Sequence, residues 1–225
     1  SKVSTSQASV YERHQHYQKV LSVHPRVLYL CVGSVFTGNY QVATQWKNEH
    51  DPDNRMIVLD TTAASGRLGI VALATARHAT NTDDPESVIS FARKAIEASC
   101  EFVFLDKLHY LAAGGRLSRT SAFFGDLLHM KPIVSPTAKG AKKVGVVHNQ
   151  KEQISFALEK ITQMNDPQLI MLEYSDNKPW VQESVLSKFK ECFPRAEIIL
   201  QPISLTSGAH MGPGTWAVAT LPKID

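Results

Sequence analysis

Cysteine is scarce in this chain. Cys31, Cys100 and Cys192 are the only three among 225 residues, and their odd number and wide spacing argue against a disulfide framework. None stands at the short spacing of a metal-binding cluster, so no metal is expected. Each sits among apolar neighbours and reads as a reduced core residue of a cytoplasmic protein. Long apolar runs are also lacking: the longest, VLYLCVGSVF over 27–36, is well short of a membrane span. The opening SKVSTSQAS has no apolar core of the signal-peptide kind. No stable membrane insertion is expected.

Charge of one sign is missing as well. The net charge is +3, and no cluster of Lys and Arg with interleaved aromatics marks a groove reader, which sets nucleic acid aside as a partner. Lys131, Lys139, Lys142 and Lys143 lie close in sequence and read as a solvated face. There is no P-loop, no GxGxxG after a strand, no GxSxG elbow, no HExxH and no evident acid pair.

What is present is the composition of a globular protein, 43% hydrophobic and 20% charged, enough for one large or two modest domains. Short β-branched runs alternate with helix-like segments through the first hundred residues: VLYLCV (27–32), MIVLD (56–60) and FVFL (102–105). This alternation predicts βαβ units of a parallel sheet. Asp83-Asp84-Pro85-Glu86 supplies a cap, a first-turn proline and an early acid, and Val88, Ala92, Ala95, Ile96 and Ser99 follow at helical spacing.

Past residue 100 the pattern changes. LHYLAAGGRLS reads as a helix or turn ended by paired glycines, and TSAFFGDLLHM as a short amphipathic helix leading to Lys131-Pro132-Ile133. KEQISFALEKITQM places Ile154, Ala157, Leu158, Ile161 and Met164 on one face, and a second helix surrounds WVQESVLSKFKECF. Strand-like IVSP, KVGVV, LIMLEY, AEIILQPI and WAVATL complete an α/β protein of two lobes. Residues 1–100 form a parallel-sheet α/β lobe. Residues 101–225 form an α+β lobe with a mixed or antiparallel sheet, and a ligand is expected in the cleft between them.

Three junctions offer polar groups to such a ligand. In CVGSVFTGNYQVATQW a strand ends, Gly33-Ser34 turns, and Thr37-Gly38 precedes a helix. Ser34, Thr37 and nearby amides at a helix N-terminus suit a carboxylate or phosphate, though Thr37 in a simple capping role explains the pattern equally. Thr5, Ser6 and Gln7 stand ahead of a helix starting near Ser9, where capping again suffices. In LTSGAHMGPGTW, a glycine-rich turn at Gly208, Gly212 and Gly214 lets backbone amides approach a ligand, with His210 as a nearby donor or as a structural residue of the turn. Gly114-Gly115-Arg116 is either a helix end with a solvated cation or a turn that aims Arg116 at an anion or a partner.

Taken in order, TSQ before a helix, GSxxTGNY after a strand, LxYLxxGGRLS, a helix leading to KP, and AHxGPG resemble the DegV family. The resemblance covers nearly the whole chain. It implies a two-lobed α/β protein that holds a long-chain fatty acid between its lobes, without a cofactor, as in the fatty-acid-binding subunits of bacterial fatty acid kinase. Carried over, Thr5, Ser34 and His210 hold the carboxylate, while Arg116 and Lys131 lie at the rim a kinase subunit reaches.

Two positions depart from the family pattern. SSxxSGTY reads Gly33-Ser34-Val35-Phe36-Thr37-Gly38-Asn39-Tyr40, and the usual DS after a strand reads Asp60-Thr61. Family members also carry an opening strand ahead of TSQ, so the chain resembles a fragment, a processed chain or a piece of a fusion, and a dihydroxyacetone-kinase-like domain is fused in some relatives. The function expected is that of a non-catalytic carrier presenting an acyl carboxylate to a kinase subunit or domain. The alternatives are a small hydrolase or phosphotransferase with His210 as base, and a lipid-bound regulatory domain.

Overall fold

The computed structural model describes residues 4–116, 130–164 and 166–224. The predicted helix over 120–130, with Phe123, Phe124, Leu127 and Leu128, lies almost wholly outside them. The chain opens with α1 (Val10–Val23), whose start is fixed by a reciprocal cap: Ser9 Oγ accepts the Glu12 N–H at 3.2 Å, and Glu12 Oε2 accepts the Ser9 N–H at 2.8 Å. β1 (Val27–Cys31), α2 (Asn39–His50) and β2 (Met56–Asp60) follow. β1 and β2 run parallel in register from Val27↔Met56 to Cys31↔Asp60. Tyr17, Leu21, Cys31, Ala43, Trp46 and Met56 form the core beneath them.

The second sheet has six strands in the order β5-β4-β3-β8-β6-β7. α3 (Ser65–Ala79) and α4 (Pro85–Ala98) come first, the latter capped by Asp84, which accepts the N–H groups of Glu86 and Ser87. β3 (Cys100–Phe104), α5 (His109–Ala113), β4 (Lys131–Thr137), β5 (Gly140–Val147), α6 (Gln150–Thr162) and β6 (Pro167–Tyr174) follow. One helical stretch then runs as α7 (Lys178–Trp180), a π-helical turn over Val181–Leu186 and α8 (Ser187–Cys192). β7 (Glu197–Pro202), α9 (Leu205–Met211) and β8 (Trp216–Pro222) close the chain. Among the described residues, only β6 and β7 pair in parallel within this sheet. The fold is α/β, as the sequence indicates.

Three readings need correction. FVFL is not the third strand of a parallel sheet, because β3 pairs antiparallel with both β4 and β8. Nor do the sheets divide at residue 100. α3 packs Ile70 and Val71 against Met171, Ala219 and Leu221 of the six-stranded sheet, so the division falls between β2 and α3. Strand–helix alternation records only that elements follow one another, and the partner is decided by which apolar surfaces match. Cys192 is exposed at the end of α8, whereas Cys31 is buried and Cys100 partly so.

The main core joins Phe104, Ile133, Ile170, Leu172, Trp216 and Val218 of the sheet to Ile154, Ala157 and Ile161 of α6. Trp216 stacks on Phe104 with ring centroids 4.0 Å apart and donates Nε1–H to Gln153 Oε1 at 3.0 Å. A buried indole thus has both its apolar face and its N–H satisfied.

Candidate functional site

A cavity of about 1120 Å³ opens between the two sheets, lined from one side by the segment ahead of α1 and the start of α2, and from the other by α3, β3, β4 and α9. Its size suits a long ligand. Leu68, Val103, Leu111, Val134 and Pro136 give it apolar walls, and polar groups gather in two places.

The first place joins the two ends of the chain. Thr5 Oγ1 lies 2.9 Å from His210 Nε2, and both line the cavity with Ser6 and Arg116. His210 does not stand in a glycine-rich turn, which corrects the sequence reading: it lies in α9. Ser204 starts that helix by accepting the Ser207 N–H at 3.2 Å, and Gly208 is an interior residue whose C=O accepts the Gly212 N–H at 2.8 Å. Local capping outweighs the modest helix penalty of one glycine. The helix ends at Gly212, with φ 84° and ψ 174°, a conformation reserved to glycine.

Gln7 ties this segment to α2. Its Nε2 donates to Thr37 Oγ1 at 2.8 Å, and the same oxygen accepts the Asn39 N–H at 3.1 Å. Thr37 therefore serves as a local cap while lining the cavity beside Gly38. Arg13, also on the wall, donates Nη1–H to Asn39 Oδ1 at 2.8 Å, and its buried Nε has no partner among the described residues.

Ser34, Gly212 and Lys131 are not among the lining residues. The Ser34 N–H donates to Asp60 Oδ1 at 3.1 Å, within the turn after β1. Gly212 lies against Tyr110, whose ring occupies the place a β-carbon would take. Lys131 pairs with Asp106. Arg13 belongs to no recognisable spacing, and Asn39, though it stands in the GSxxTGNY stretch, is not singled out by that pattern as a site residue. Their place on the wall depends on how α1 and α2 pack.

Burial, and then the charge of Arg116, lowers the His210 pKa below the ordinary histidine value. The neutral ring is favoured, and its buried Nδ1 has no partner among the described residues. A ring donating Nε2–H to Thr5 Oγ1 frees the threonine hydroxyl to donate to an anion. Arg13 and Arg116 add positive charge to the cavity lining.

Gly114 sets the ring's position, since a β-carbon there would overlap His210 Nδ1. Its φ of −80° is open to any residue. Gly114→Ala is therefore expected to leave the fold intact while pushing the ring off Thr5. A crystal structure of the variant with the Thr5–His210 bond intact would refute this steric role.

The second polar place is a pair of buried carboxyls. Glu101 of β3 and Glu173 of β6 flank β8 and pair in register with Ala219 and Ala217, whose small side chains leave room for the two acids to meet. The Gly66 N–H at the start of α3 donates to Glu101 Oε1 at 3.2 Å and to Glu173 Oε2 at 2.8 Å, and Ser65 Oγ donates to Glu173 at 2.9 Å. A β-carbon on Gly66 would stand 2.6 Å from Glu173 Oε2.

Burial pushes the Glu101 carboxyl well above its ordinary range, with the neighbouring Glu173 adding to the shift. Glu173 is also raised by burial, but hydrogen bonds from Ser65, Glu101, Gly66 and Gln201 hold its charge. Glu101 thus keeps the proton and donates it to Glu173. The expectation of no acid pair is overturned. The two acids sit on strands far apart in sequence, and only the intervening strand brings them together.

An apolar cleft between two α/β units, with hydroxyls, a histidine and arginines among its lining residues, has the chemistry to receive an anion with an apolar body. The sequence model described as "Uncharacterised protein, DegV family" matches residues 1–223, and the chain belongs to that family. The DegV domain-containing protein CPE0026 of Clostridium perfringens is 26% identical over 223 residues, 96% of this chain and 76% of its own length. A structure reporting fatty acid binding by a DegV family protein from Thermus thermophilus superposes with TM-score 0.85 at 22% identity, covering 97% of this chain and 78% of that one. The Streptococcus pneumoniae Fatty Acid Kinase (Fak) B3 protein loaded with linoleic acid superposes with TM-score 0.82 at 17% identity, covering 93% and 76%. These likenesses establish the fold.

Proposed function

We propose that this chain binds a long-chain fatty acid, with the carboxylate at Thr5 and His210 and the tail along the apolar walls, and presents the carboxylate to a kinase subunit or domain. The observation that carries this reading is the Thr5–His210 pair, 2.9 Å apart on the wall of a cavity of about 1120 Å³. The fatty acids named for the Thermus and Streptococcus proteins support it, and the kinase named for the latter supports the second half. Thr37, Gly38 and Ser6 complete the wall near the carboxylate, and Arg116 lines the same cavity. Ser34 and Gly212 act by shaping the two turns. Lys131, paired with Asp106, offers its charge to the partner side.

The hydrolytic reading needs a carboxylate to orient His210 as a base. Among the described residues, no carboxylate bonds its ring. The carrier reading needs neither a nucleophile nor a metal.

Ligand extracted from the folded protein and weighed by mass spectrometry is expected to be a monocarboxylic lipid, and recovery of only a nucleotide or sugar would end this reading. Thr5→Ala is expected to weaken binding by one charge-assisted hydrogen bond, about 1.5–3 kcal/mol, in displacement of a fluorescent fatty acid. A carboxylate raises the depressed His210 pKa when it binds, so affinity is greatest at acidic pH and declines as pH rises through the ligated value. His210→Gln should flatten that profile. A profile equally flat in both proteins would limit His210 to a structural role.

A further inference from the structure

The carboxylate site makes no use of the acid pair, yet Glu101 and Glu173 both line the same cavity. A plain hydrocarbon chain is a poor neighbour for them, because buried polar groups facing alkyl carbon lose water and gain nothing. Glu101 is 1% exposed, and its Oε2 receives no hydrogen bond among the described residues. Beside the pair on the wall stands Gln201, whose amide Nε2 meets the thioether of Met171 at 2.9 Å. The same amide also bonds Glu173, and thioether sulfur is a weak acceptor for its remaining N–H, so one weakly held N–H and an unused acceptor share one stretch of an otherwise apolar wall.

The surroundings restrict what can meet them. A second carboxylate would be repelled by the charge on Glu173. An ammonium group would face the α3 terminus, where the Gly66 N–H already points at both acids, and the nearby Arg67 guanidinium, whose charge interacts with Glu101. A carbonyl accepts only and would leave Glu101 Oε2 unmet. A hydroxyl does both: it donates to a carboxyl oxygen and accepts from an amide.

We propose that the acyl chain of the physiological ligand carries a hydroxyl group, and that Glu101, Glu173 and Gln201 select it. This specificity rests on the fatty-acid reading above. Apolar residues along the rest of the cavity take the methylenes on either side, and the acid pair fixes which carbon bears the oxygen.

The test compares stearate with monohydroxystearates bearing the hydroxyl at successive positions, by displacement of a fluorescent fatty acid from the full chain. At least one positional isomer is expected to bind tenfold or more tightly than stearate. The variant Glu101→Leu/Glu173→Met should lose that preference while binding stearate as well as or better than the parent. If the double variant does not fold, Glu101→Gln and Gln201→Leu serve in its place, and each should reduce the preference at least threefold. The proposal is overturned if no isomer exceeds stearate in the parent protein, or if the preference survives in the variants that fold. Binding of neither stearate nor any isomer would instead overturn the fatty-acid reading itself.

Discussion

Gly212→Ala is expected to lower stability by about 2–6 kcal/mol. Two costs add. The backbone conformation at Gly212, φ 84° and ψ 174°, is one that a residue with a β-carbon adopts only at a cost of about 1–3 kcal/mol. The new methyl would also overlap the Tyr110 ring, and overpacking of this kind costs about 1–3 kcal/mol. For a chain of this size each kcal/mol moves the melting temperature by about 2–4 °C, so a fall on the order of 10 °C is anticipated. Gly115→Ala is the control. Gly115 has φ 69°, but a β-carbon there meets nothing within 4 Å among the described residues, so only the backbone cost remains, about 1 kcal/mol. Thermal melts showing equal losses in the two variants would refute the contact between α9 and α5 as the reason for glycine at 212. Because that contact seats the helix carrying His210, Gly212→Ala should also weaken ligand binding.

The second large effect is a dependence of stability on pH. Burial keeps the Glu101 carboxyl protonated in the folded chain at pH values where the unfolded chain has released the proton. The folded state binds more protons over that interval, so its stability falls as pH rises. The contribution of Glu101 is complete below the unfolded carboxylate range and is lost progressively as pH climbs toward the raised folded value. One proton gives a slope of at most about 1.4 kcal/mol per pH unit, or about 3–6 °C in melting temperature for each unit. Glu101→Gln keeps an acceptor for Gly66 without a titrating proton. The variant should therefore melt higher than the parent at neutral pH, with the gap widening as pH rises. Melting curves of parent and variant that run parallel from mildly acidic to alkaline pH would show that Glu101 is ionised in the folded protein and that the acid pair does not share a proton.

The element plan was legible because its signals are local. Ser9 and Glu12 close a cap within four residues, Asp84 and Pro85 start α4 with neighbouring groups, and β1 and β2 are read from runs of β-branched and apolar residues. Motif order also sufficed to place the chain in its family, since each motif is a short local pattern. One local signal misled. Glycine and proline density suggested a turn around His210, but the Ser204 cap and the hydrogen bond from Gly212 to Gly208 make a helix there. Thr5, Ser6, Thr37, Gly38, His210 and Arg116 line the same cavity, and Ser34, Gly212 and Lys131 are not among its lining residues.

By itself, then, the sequence determined the capped starts of α1 and α4, the strands β1 and β2, and which residues carry hydroxyl, imidazole and guanidinium groups. The tertiary structure alone decided that β3 belongs to the six-stranded sheet, that α3 and α4 cover that sheet, that Thr5 meets His210 across nearly the whole chain, and that Glu101 and Glu173 meet beside β8. A cap or an apolar period is set by interactions within a few residues, whose energies hardly depend on the rest of the chain. Strand partners and buried acid pairs depend on which apolar faces exclude water together once all elements compete for burial, and no short stretch of sequence contains that comparison.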